Sequence, residues 1–160
     1  MATDDAGLRA WRSMLLAYNA AIRAIDTELD RTGSIPLTWY DVLLELNAAP
    51  GRRLRMQELA NRVVLSRTRV SRLVDEMASA GLVTKTPDDA DRRSVLATIT
   101  DAGIRELRKT APKYLHGIQA YFASHLTEAE KETIATALDR VHAAHKPGSC
   151  QPITIGRSRR

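Results

Sequence analysis

Between Val64 and Val74 the chain reads VLSRTRVSRLV, with Arg67, Arg69 and Arg72 set among Ser66, Thr68 and Ser71. Guanidinium forks and short hydroxyls side by side are groups that bind phosphate oxygens and the acceptor edges of bases. On a helix turning about 100° per residue, Val70, Leu73, Val74 and Met77 share one face. Thr68, Ser71 and Arg72 point away from that face, with Arg67 and Arg69 on its flanks. The charge is concentrated here. Residues 52–72 hold seven arginines (Arg52, Arg53, Arg55, Arg62, Arg67, Arg69, Arg72) against one acid, Glu58. The segment 146–160 adds four bases and no acid, so within a net charge of +5 the remainder is negative. Clustered arginine beside a helix is the footprint of a phosphate-backbone binder, and equally that of a solvated charged face. Charge alone leaves these two readings level.

Other chemistries find less support. Cys150 is the one cysteine, with no obvious base beside it, and reads as a plain free thiol suited to a reducing cytosol. His142 and His145 are spaced i, i+3, but no Cys or carboxylate stands near them at metal-ligand spacing, so they read as surface histidines. No nucleophile motif, Gly-rich phosphate loop or acid–base pair points to an enzyme or a cofactor. Asp88, Asp89 and Asp91 form an acidic cluster on a turn whose neighbouring arginines account for it. The start MATDDAGLRAW lacks the basic and apolar stretches of a secretory signal. No apolar run approaches the ~20 residues of a membrane helix, and the expected location is cytoplasmic.

The elements that hold the arginines follow from periodicity and punctuation. Leu8, Trp11, Leu15, Tyr18, Ile22, Ile25 and Leu29 alternate spacings of three and four, predicting a helix over 5–31 that stops at Thr32-Gly33. A second helix, capped by Thr38, carries Trp39, Tyr40, Val42, Leu43, Leu44 and Leu46 and ends before Pro50-Gly51. A short third helix covers 56–63 with Leu59 and Ala60 inward. Ser66 caps the fourth, which ends at Ala80-Gly81. Then LVTKT and SVLATIT flank the turn cluster PDDADRR, a hairpin whose long connection should project. Thr100 opens a long helix interrupted by Pro112, which should kink it. Thr127-Glu128-Ala129-Glu130 fits a capping box opening a last helix to about His145.

A short helix, a brief turn and an arginine-bearing helix make a helix-turn-helix, whose second helix enters the DNA major groove by its N-terminal residues. That end of the helix also offers unpaired N–H groups to phosphate, whereas Asp75 and Glu76 confine anion contact to the first turns. Asp91-Arg92-Arg93 falls at the hairpin tip, where an arginine can enter the narrow minor groove. Helix, hairpin and charge cluster coincide, and that favours DNA over a solvated face.

The order of elements from about Ala10 to His145 resembles the multiple antibiotic resistance regulator (MarR) family of winged-helix transcription factors. The specific stretches are LTWYDVLLEL, MQELANRVVLSRTRVSRLVDEMASAGLV and DADRRSVLATITDAG, with Asp-x-Arg at Asp91 and Arg93 and Thr-x-x-Gly at Thr100 and Gly103. The resemblance implies a mainly α fold with a small β-hairpin wing. It also implies a homodimer on a pseudo-palindromic operator, usually repressing and often released by a small ligand. It implies that Arg93 enters the minor groove while Asp91 orients it, and that Ser66, Arg67, Thr68, Arg69 and Arg72 belong to the recognition-helix region. Arg55 departs from the family, which often has a small hydroxyl cap there; the change weakens the helix start or adds a phosphate contact beside Arg52 and Arg53. The basic tail after His145 is a second departure.

The expected layout is a dimerisation helix in 1–34, the DNA-binding winged helix-turn-helix in 35–100, dimerisation helices in 101–145 and a basic tail in 146–160. Trp11, Leu15, Trp39 and Leu43 are the candidate walls of a pocket for an aromatic or phenolic effector, each with core or dimer packing as its plainer role. Two rival readings remain: a winged helix used for protein contact, and a DNA-binding protein that answers to no ligand.

Overall fold

The computed structural model describes residues 5–63 and 67–145, with the backbone alone at Arg67 and Arg92. Among the described residues six α-helices and three strands follow in the order α1 (Asp5–Arg31), α2 (Leu37–Ala48), β1 (Arg53–Arg55), α3 (Met56–Arg62), α4 (Arg67–Ser79), β2 (Val83–Asp88), β3 (Asp91–Ile99), α5 (Asp101–Tyr121) and α6 (Glu128–Ala144). They fall into two compact units, Met1–Phe122 and Ala123–Arg160. None of the described helices is long and apolar enough to cross a membrane.

In the first unit the apolar stripe of α1 is divided. Ile25 and Leu29 are buried, whereas Leu8, Trp11, Leu15 and Tyr18 are exposed. The helix ends as its composition predicts. Gly33 takes a left-handed φ of 62°, and the Ser34 N–H donates back to the Leu29 carbonyl. The start of α2 differs from the expectation. Thr38 is not its cap but lies inside the first turn, after Pro36, which has no side-chain acceptor. The free Leu37 N–H is met instead by Asp26 of α1, at 3.2 Å, so a carboxylate from another helix takes over the local cap.

The core gathers Leu29, Val42, Leu43, Leu46, Leu59, Val70, Val74 and Met77, all fully buried. Each such side chain contributes on the order of 1.5–3 kcal/mol. α5 runs unbroken across Pro112 from its cap at Thr100, whose hydroxyl accepts from the Gly103 N–H at 3.1 Å. It comes so close to α1 at Gly117 that an added Cβ would lie 3.0 Å from Ile25.

The sheet is antiparallel in the order β1-β3-β2. Its third strand, β1, was not anticipated. Only Arg53, Leu54 and Arg55 form it, too short a run to show alternation, though Leu54 alone of the three is buried. The hairpin connection also differs from the expectation, being short rather than long. Pairing resumes at Asp88 opposite Asp91 after a register shift at Pro87/Asp88 that leaves Arg92, Arg93 and Ser94 without partners on β2, and Asp89 and Ala90 form the turn. The Asp88 carboxylate closes this turn by accepting from the Ala90 N–H at 3.0 Å, which lets a polar cluster make a tight reversal.

In the second unit α6 starts with the expected capping box. Thr127 Oγ1 accepts from the Glu130 N–H at 3.3 Å, and Glu130 Oε2 accepts from the Thr127 N–H at 2.8 Å. None of its residues is buried, and Leu138 and Val141 are exposed.

Candidate nucleic-acid interface

Burial of Val70, Val74 and Met77 fixes the roll of α4 and so decides what its other side presents. Thr68, Arg69 and Arg72 are exposed there, and Ser71 is half-buried beside them. The polar face foreseen from VLSRTRVSRLV is therefore at the surface. Ser66 lies outside the described residues, and Arg67 is described by its backbone alone, as the first residue of α4.

Next to this face stands the hairpin. Asp91 opens β3 directly after the turn, and Arg92 and Arg93 follow it within the register shift, without Cα partners on β2. Arg93 is exposed. The Asp91 carboxylate meets the backbone: Oδ1 accepts from the Arg93 N–H at 3.1 Å, and Oδ2 accepts from the Ser94 hydroxyl at 2.8 Å. These bonds, the Ser94 hydroxyl first, hold the Asp91 carboxyl below its ordinary pKa. Asp91 thus shapes the strand that carries Arg93, and no described bond joins it to the guanidinium.

A cleft of about 590 Å³ separates α3 and α4 from the hairpin, with Glu58, Asn61, Ser71, Lys85 and Arg93 among its walls. Lys85 on β2 also pairs with Asp75 on α4, at 2.6 Å.

The remaining arginines divide. Arg52 and Arg53 are exposed before and on β1, and neither forms an ion pair among the described residues. Arg62 faces Glu45 of α2 at 3.5 Å. Arg55, expected as a phosphate contact or a weak helix start, is neither left free nor without a cap. Its backbone N–H donates to Glu58 Oε2 at 3.2 Å, which is the half of a capping box that needs no acceptor from the arginine. Its Nε donates to Asp88 Oδ2 at 2.6 Å. The Ala90 N–H and then Arg55 hold the Asp88 carboxyl below its usual range. Of the acidic cluster, Asp91 is held by chain neighbours as expected, whereas the guanidinium partner of Asp88 is 33 residues away.

The four residues proposed as pocket walls do not share one environment. Leu43 is fully buried in the core and is removed from the list, while Trp39 packs partly buried against that core. Trp11 and Leu15 are exposed on α1, at 58% and 40%.

An arginine-bearing helix with its apolar side in the core, preceded by a short helix and followed by a hairpin on a three-stranded sheet, defines a winged helix-turn-helix protein. Comparison with known proteins makes this specific. Residues 34–94 match the model of the MarR family. A MarR family transcriptional regulator of Streptomyces coelicolor, solved in complex with DNA, is 28% identical; 90% of each chain is covered, with a TM-score of 0.80. AbsC, a second MarR family transcriptional regulator of that organism, is 26% identical over 89% of this chain and 96% of its own, with a TM-score of 0.78. Bordetella bronchiseptica BpsR, described with a mechanism by which 6-hydroxynicotinic acid regulates its DNA binding, shares the fold at 19% identity and a TM-score of 0.74, over 84% of this chain and 98% of its own. No curated protein matches the chain. The segment 34–94 thus resembles the MarR family, and the chain has the fold of its transcriptional regulators.

Proposed function

We propose that this chain is a sequence-specific double-stranded DNA-binding regulator that works as a homodimer on a pseudo-palindromic operator, most simply as a repressor. The observation that carries the reading is the exposed row Thr68, Arg69 and Arg72 on a helix anchored by Val70, Val74 and Met77. In this reading the row, with Ser66, Arg67 and Ser71, meets base edges and phosphates in the major groove. Arg93, with Arg92 beside it, reaches the adjacent minor groove, and Arg52 and Arg53 meet the phosphate backbone.

Dimerisation is supported by the apolar surface that α1 leaves in water: Leu8, Trp11, Leu15, Leu16 and Tyr18. A stripe of that size calls for a partner, and a second copy offers the same stripe about a two-fold axis. Two recognition helices then fall about one DNA turn apart, ~34 Å. A small aromatic effector enters this reading from the family resemblance. Operator affinity unaltered across a panel of phenolic and aromatic acids removes that part and leaves a ligand-independent regulator.

Titration of labelled duplexes from the gene's own upstream region, over a series of salt concentrations, tests the core of the proposal. Tight binding to one duplex, weakening steeply with salt, is the expected result. Arg72→Ala is expected to cost roughly 1–3 kcal/mol on that duplex if it reads a base. An equal loss on every duplex with a shallower salt slope reassigns Arg72 to phosphate. Absence of salt-dependent binding to any duplex favours the rival reading, a winged helix that docks on protein.

A further inference from the structure

The geometry points to Arg55 and Asp88 as a positioning pair. It holds the wing at the distance from the helix-turn-helix that lets α4 and Arg93 engage one duplex together. This rests on the DNA-binding reading above.

The sheet shows why such a pair is needed. β1 ends with Arg55 opposite Leu96, so the part of the hairpin beyond that point, from Pro87 to Val95, has two strands and no third. A two-stranded ribbon is marginal in water by itself. Among the described residues, two ion pairs tie the hairpin back to the helices, and the second of them reaches the two-stranded part. Lys85–Asp75 joins the middle of β2 to α4, and Arg55–Asp88 joins the end of β2 to the residue that caps α3. The second lies next to the turn and hence governs the tip.

Asp88 is placed for that work rather than for solvent. Its residue is 7% exposed, and both carboxylate oxygens are engaged, one by the Ala90 N–H and one by Arg55 Nε. One carboxylate therefore closes the turn and fastens it to α3. Three residues on, Asp91 grips the backbone of Arg93. The path from the start of α3 to the minor-groove arginine is thus a short series of charge-assisted hydrogen bonds. Arg55, the departure from the family's usual small cap, supplies the anchor. A small hydroxyl there has no reach toward Asp88.

The sign of one substitution separates this role from plain electrostatics. Asp88→Asn deletes a negative charge beside a surface that meets phosphate, which by charge alone raises DNA affinity. A positioning pair predicts a fall instead, about tenfold, the scale of one lost wing contact. Arg55→Gln keeps the Glu58 cap on the backbone N–H and is expected to match that fall with the salt slope unchanged. Both effects should largely vanish in an Arg93→Ala background, where no arginine remains to be positioned. Circular dichroism and sedimentation on each variant establish that fold and assembly are retained, and either variant alone is sufficient for the test.

Higher or unchanged affinity for Asp88→Asn overturns the pair. So does an Arg55→Gln variant whose salt slope drops by about one, the mark of a phosphate contact. A loss that persists in full without Arg93 overturns it as well. If the wild-type protein shows no salt-dependent DNA binding, the reading beneath fails and takes the pair with it. Wild-type binding with an indifferent Asp88→Asn sinks the pair alone.

Discussion

Gly103→Ala tests how the wing is anchored to α5. An added Cβ would sit 2.3 Å from the Leu82 carbonyl oxygen, 2.8 Å from Ile99 Cγ1 and 3.2 Å from Leu43 Cδ2. The isoleucine can turn, but the carbonyl is backbone and already accepts from the Thr100 N–H at 3.0 Å. Thr100 in turn donates its hydroxyl to the Gly81 carbonyl at 2.7 Å and accepts from the Gly103 N–H at 3.1 Å. To restore ordinary contact the helix must retreat by about 1.1 Å, against a knot of three hydrogen bonds. Overpacking of this kind costs about 3 kcal/mol, and a disturbed buried hydrogen bond about 1 kcal/mol more. Alanine's better helix propensity returns about 1 kcal/mol. The net expectation is a loss of about 3 kcal/mol, read by urea unfolding at fixed protein concentration, with a melting temperature lower by roughly 6–12 °C. Gly117→Ala is the comparison, because its Cβ meets only the Ile25 side chain and should cost under about 1 kcal/mol. Equal stabilities for wild type and Gly103→Ala would show that α5 lifts from Leu82 freely, and would refute the reasoning.

Three further outcomes are expected. Arg52 holds a left-handed φ of 56°, so Arg52→Gly should raise stability by up to about 1 kcal/mol while lowering the DNA salt slope by about one; a less stable variant refutes the strain. Trp11→Glu places a charge in the exposed stripe of α1 and should shift the protein toward monomer in sedimentation equilibrium, with fold retained; a dimer of wild-type affinity removes α1 from the interface. Asp88 and Asp91 titrate below their ordinary values in the folded chain, so the unfolded chain binds protons first as acid is added. Their stabilisation is complete above the usual aspartate pKa of ~3.9 and drains away as pH falls through the lowered values. Acid unfolding of Asp91→Asn should therefore be less steep in that range, and an unaltered profile contradicts the assignment.

Much of the fold was legible along the chain. The bounds of α1, the caps at Thr100 and Thr127, and the buried side of α4 all follow from spacing and from hydroxyls set before apolar runs. These are local matters, decided within a few residues by which side chains must leave water and which N–H groups need a partner. The exposed arginine face of α4 was readable for the same reason.

What escaped is what passes between distant segments. Asp26 capping α2, a three-residue strand against β3, the two-residue wing turn and Arg55 on Asp88 all depend on residues brought together by register and packing. Composition and periodicity established a charged helix with one side to bury, because helical geometry and the cost of exposing apolar surface act locally. Only the tertiary structure decided which arginines outside α4 are engaged in bracing. A guanidinium meets its carboxylate wherever folding puts the two within reach, and no neighbouring residue reports that distance.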